Sequence, residues 1–157
     1  MKKAHEFVIQ KWLNTELPIS LNSLSGKVVM ISAFQMLCPG CVGVGLPQAK
    51  NVFDSFSSSD LAVLGLHTVF EHHEAMKEES LKAFLYENRI HFPVGIDMPA
   101  KKGTIPETME KYRMEGTPST VLIDRDGNLR QLKFGHIPDL LLGAKLMALI
   151  NEKHDLE

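Results

Sequence analysis

The stretch Val28-Val29-Met30-Ile31 constrains this chain most, because it leads directly into a cysteine pair and a helix. Four apolar residues in a row, entered through Gly26, read as a strand buried on both faces. Beyond it comes Cys38-Pro39-Gly40-Cys41. Then Val42, Leu46, Ala49, Phe53 and Phe56 recur at steps of three and four, one face of a helix. A strand covered on both sides that runs through a cysteine pair into a helix demands a layered α/β arrangement. Gly43, Gly45 and Pro47 weaken the first turns of that helix, and Pro47 is expected to kink it.

The remaining pattern continues the alternation. Residues 61–70 (LAVLGLHTVF) read as a second strand, and 78–90 as a helix with Leu81, Phe84 and Leu85 on one face. Residues 92–97 read as a short strand and 98–107, with two prolines and a glycine, as a loop. Residues 117–135 read as strand, turn and strand, with Asp126-Gly127 as the turn. Residues 138–152 close the chain as a helix with Leu142, Leu146 and Leu149 inward. The alternating opening implies parallel strands with crossover helices, and the hairpin adds antiparallel ones. The expectation is a mixed central sheet with helices on both faces.

The chain has 157 residues, which suits one domain with one substantial core. A net charge of −2 supplies no basic field for nucleic acid or acidic lipid, and no stretch has the roughly 20 apolar residues of a membrane span. His5, Glu6, Gln10 and Lys11 interrupt what would be the apolar region of a signal peptide. With Met1 as the native start the protein is expected in the cytoplasm; removal of a signal peptide would place it in the periplasm. The terminal Leu156-Glu157 reads as a cloning scar.

Two cysteines cannot scaffold a domain of this size, and a bridge across so short a loop constrains little of the unfolded chain. Their chemistry is the better explanation. Cys38 should sit at a helix N-terminus, with Pro39 at the first helical position. Free amides and the helix dipole there favour an anion, and a thiolate is one. An ordinary thiol, with pKa about 8.5, is only roughly 3% ionised at pH 7. Cys38 is therefore the candidate attacking thiol. Cys41, about one turn behind it, is the candidate resolving thiol. The metal reading needs further ligands. His67, His72 and His73 are the nearest candidates, yet no second C-x-x-C exists, so neither metal nor cofactor is expected.

Residues 12–41 (WLNTELPISLNSLSGKVVMISAFQMLCPGC), together with LGLHTVFE at 64–71 and YRMEGTPSTVLIDRDGNL at 112–129, resemble the TlpA/ResA-like thiol-disulfide oxidoreductases. The resemblance runs from Trp12 to about Ile150. It implies a single thioredoxin-like domain over 1–157, with a core of about 12–150 and residues 1–11 as an N-terminal extension. It implies disulfide exchange with protein substrates through Cys38 and Cys41, a thiol reductant as partner, antioxidant activity and a monomer. It also implies that Thr117-Pro118 is a cis peptide beside Pro39 and Gly40, with the Thr117 backbone free to pair with a substrate. Proline is the residue that adopts cis cheaply.

The departures are specific. Leu37 stands where such proteins carry Trp, Ser32 where thioredoxins keep a buried Asp, and Val44 where many relatives have Glu. Pro47 comes one residue later than usual. No obvious carboxylate is left to take the proton of Cys41, and His67 is the candidate replacement. His72, in the run HTVFEHHEAM, is a second candidate modulator, and Met36 is a candidate lining of an apolar substrate groove. Two other readings compete. A peroxiredoxin-like peroxidase needs Thr and Pro shortly before its cysteine, and SAFQML has neither. A non-catalytic thioredoxin-like binding module would bridge its cysteines without turnover.

Overall fold

The computed structural model describes residues 1–153, so the Leu156-Glu157 pair lies outside the described residues. Its centre is a six-stranded sheet of β1 (Ile9–Leu13), β2 (Val28–Phe34), β3 (Leu61–His67), β4 (Val94–Asp97), β5 (Ser119–Ile123) and β6 (Leu129–Phe134), in the order β1-β4-β3-β2-β5-β6. β2, β3 and β4 run parallel, while β1, β5 and β6 are antiparallel to their neighbours. Four α-helices accompany it: α1 (Leu46–Ser55), α2 (Glu78–Glu87), α3 (Glu107–Tyr112) and α4 (Asp139–Asn151). This is the mixed sheet expected from the apolar pattern.

All seven residues of β2 are buried, and they alternate between two cores. Val28, Met30 and Phe34 pack with Leu46, Ala49 and Val52 of α1, Leu81 and Leu85 of α2, and Leu142, Leu146 and Leu149 of α4. Val29, Ile31 and Ala33 face the opposite way, toward Met109 and Tyr112 of α3, with Phe7 and Trp12 at the margin. A strand enclosed on both faces has no polar side to alternate with, which is why its sequence is a continuous apolar run. The hairpin turns at Gly127, whose φ of +78° only glycine adopts cheaply.

Three features differ from expectation. Residues 1–11 are not a simple extension: Ile9–Leu13 is an edge strand paired with β4, and Lys2 and Ala4 hydrogen-bond to Leu129 and Gly127 at the hairpin. An edge strand needs one apolar face only, and Ile9, Trp12 and Leu13 among polar residues signal it weakly. The helix α3 stands at the end of the expected loop, and its N-terminal signal is remote in the chain. The buried Asp97, at the end of β4, accepts the amides of Thr108 (2.8 Å) and Met109 (3.0 Å), the work of an N-cap. Burial pushes the Asp97 carboxyl above its ordinary range against the pull of those two amides. Finally, the irregularity tied to Pro47 is a π-helical turn over Cys41–Gly45, which leads into α1. Proline cannot donate to the carbonyl four residues back, and a wider turn just ahead of it absorbs that loss.

Candidate active site

β2 ends at Phe34 and the chain turns through Gln35, Met36 and Leu37 to Cys38, at the head of the helical stretch that begins at Pro39. Cys38 and Cys41 form a disulfide, with Cα atoms 5.2 Å apart. The two sulfurs differ in setting. Cys38 is half-buried and Cys41 is wholly enclosed. The Cys41 N–H donates to Cys38 Sγ at 3.3 Å. The amides of Cys41 and Val42 also reach the Cys38 carbonyl, each at 3.1 Å. The Cys41 amide, at the helix start, is thus shared between the Cys38 carbonyl and the outer sulfur.

Thr117-Pro118 is cis, as the resemblance implies. The Thr117 carbonyl oxygen lies 3.5 Å from Cys38 Sγ. The Pro118 carbonyl is already engaged, by the Gly135 N–H at 2.8 Å. Pro118 packs on the helix through two glycines. A Cβ at Gly40 would stand 3.3 Å from Pro118 Cδ, and one at Gly45 3.1 Å from Pro118 Cβ. Gly45, which reads in the sequence only as a weak helix position, is one wall of the contact that seats Pro118.

Gln35 carries no sequence signal of function, yet it is 1% exposed beneath the site. Its Oε1 accepts the Phe70 N–H at 3.1 Å, and its Nε2 donates to Thr117 Oγ1 at 3.4 Å. Its backbone carbonyl accepts the Cys38 N–H at 3.2 Å. The only hint in the sequence is a carboxamide between two apolar neighbours, Phe34 and Met36, because buried amides require partners.

The proposed modulators are distributed unevenly. His67, at the end of β3, is enclosed against Phe34 with ring centroids 5.0 Å apart, and its Nε2 accepts the Met36 N–H at 3.4 Å. Burial pushes its pKa down to about 4, so the ring is neutral at neutral pH and a poor acceptor for a thiol proton. His72 is exposed in the following loop, at φ +48°, and no hydrogen bond ties it to the dithiol. Met36 belongs to the core. Met36 therefore lines no surface groove, whereas its neighbour Leu37 is 58% exposed and Val42 and Val44 are also open. The reason is the turn after β2, which sends Met36 inward and Leu37 out. Among the described residues no cluster of three or more His, Cys, Asp or Glu side chains stands ready to hold a metal.

A thioredoxin-like sheet with a vicinal cysteine pair at a helix head, one sulfur open and one enclosed, defines a thiol-disulfide oxidoreductase. Comparison with known proteins agrees. Residues 1–132 match the AhpC/TSA family, and the chain belongs to it. The thioredoxin-like superfamily protein SPOA0173 is 54% identical, with 98% of this chain and 99% of that one covered and a TM-score of 0.95. A thiol-disulfide isomerase from Corynebacterium glutamicum is 49% identical over 95% of this chain and 96% of its own, with a TM-score of 0.92. Protein DipZ of Mycobacterium bovis is 33% identical over 129 residues, 81% of this chain. The chain spans only 17% of that protein's length.

Proposed function

We propose that Cys38 is the attacking sulfur and Cys41 the resolving one in exchange with protein disulfides. In the reducing direction the Cys38 thiolate attacks one sulfur of a substrate disulfide. A Cys38–substrate bond forms, and the other substrate sulfur leaves as a thiolate. That thiolate takes the Cys41 proton, and Cys41 then attacks Cys38 Sγ. The Cys38–Cys41 bond closes and the second substrate sulfur departs. Two electrons have moved from the dithiol to the substrate, and a thiol reductant restores the pair. The departing thiolate as base suits a site in which Ser32 and Val44 replace the family's carboxylates and His67 is held neutral.

The observation that carries this reading is the 3.3 Å approach of the Cys41 N–H to Cys38 Sγ, on the sulfur that is also the more open. A hydrogen bond to the charged form favours that form. Thr117, half-buried beside that sulfur, supplies backbone to an extended substrate, and exposed Leu37, Val42 and Val44 suit apolar side chains flanking the substrate cysteine. In a reducing cytoplasm the dithiol predominates and the protein acts as a reductant, with antioxidant protection as the consequence.

The test is alkylation of the reduced protein with iodoacetamide across pH, read residue by residue by mass spectrometry. Cys38 should react with a midpoint below about 8.5, the ordinary thiol value, and Cys41 far more slowly. Equal rates with a shared ordinary midpoint would refute the assignment.

A further inference from the structure

We infer that Gln35 is a positioning residue: its buried carboxamide clamps the loop after β3 to the cis-proline segment and so sets the Thr117 backbone against Cys38. This rests on the proposed role of Thr117 in pairing with substrate. Gln35 comes directly after β2, a strand buried at every position, so its Cα is fixed by the core. Its side chain hydrogen-bonds to the loop after β3 and to the cis-proline segment beside Cys38.

The chemistry sets the orientation of the amide. The Phe70 N–H can only donate, so it must meet Oε1, and the –NH₂ is left facing the Thr117 hydroxyl. The Phe70 N–H has no other partner among the described residues. The Thr117 carbonyl faces Cys38 Sγ, whereas the Pro118 carbonyl is spent on Gly135. Gly116, on the other side of Thr117, is held by Ser119 Oγ at 2.6 Å. Thr117 is thus fixed from both chain directions and from below, and the support from below is Gln35. The same residue's carbonyl holds the Cys38 amide. One side chain and one carbonyl therefore register the two partners of the proposed substrate, sulfur and backbone, against each other. A carboxamide is costly to bury unless it is paired, so an apolar residue would serve the core alone equally well.

The test uses Gln35→Met, of similar length without the amide, and Thr117→Val, which removes the other end of the bond at a half-buried position. With insulin as disulfide substrate, Gln35→Met is expected to raise KM about tenfold while kcat changes less than about twofold, the pattern of lost substrate positioning. Thr117→Val should shift KM in the same direction, and the double variant should be no worse than Gln35→Met, because both remove one interaction. Independently of activity, amide exchange at Phe70 in the oxidised protein should accelerate about tenfold or more in Gln35→Met while amides of β2 keep their protection. A fall in kcat with KM unchanged, additive effects in the double variant, or unchanged Phe70 exchange would each overturn the inference. If the wild-type protein leaves insulin intact, the proposed function fails on this substrate, and Phe70 exchange still decides the clamp.

Discussion

At the scale of single residues, the site works by giving chemically equal groups unequal surroundings. Cys38 and Cys41 are the same thiol, yet one receives a helix-start amide and partial access and the other receives the core. His67 illustrates the opposite treatment of a titratable group. It is enclosed without a charged partner, and burial alone depresses its pKa from 6.5 to about 4. The unfolded chain therefore binds a proton that the folded chain refuses between those values. Stability from the neutral ring is complete above about pH 6.5 and is lost as pH falls toward 4, a difference of about 3 kcal/mol. Urea unfolding at pH 7 and 4.5 should show this slope, and His67→Gln, which keeps an acceptor for the Met36 amide, should show a smaller one. Identical slopes would mean that His67 titrates normally.

At the scale of elements, the helix carrying the dithiol is shaped by what crosses it. Gly43 and Gly45 both lie in the π-helical turn, and both look like weak helix formers. Their surroundings differ. A Cβ at Gly43 meets nothing within 4 Å, whereas one at Gly45 meets Pro118 at 3.1 Å. Neither has positive φ. Gly43→Ala should stabilise the protein by about 0.5–1 kcal/mol through reduced freedom of the unfolded chain. Gly45→Ala should destabilise it by about 1 kcal/mol through overpacking, and should slow disulfide exchange by moving Pro118. Thermal melts of the two variants check this, and shifts of the same sign would remove Gly45 from the site.

At the scale of the whole molecule, the fold was legible wherever one local pattern sufficed. The buried run of β2, the hairpin at Gly127 and the inward leucines of α4 each announce themselves within a few residues. The cysteine pair was equally plain, because its meaning comes from its place between strand and helix. What stayed hidden depends on partners distant in the chain. β1 is a strand because β4 offers an edge, α3 starts where Asp97 caps it, and Gln35 matters because Phe70 and Thr117 fold onto it. Met36 and Leu37 could not be told apart without the turn that separates them. The proposed function rests on one asymmetry, capture of substrate by Cys38 and release by Cys41. Trapping tests it most directly. Cys41→Ser and Cys38→Ser proteins are each incubated with an oxidised protein substrate, quenched in acid and resolved without reductant. Mixed disulfides through Cys38 should accumulate in the first variant and be absent from the second, and equal trapping by both, or by neither, would contradict the account.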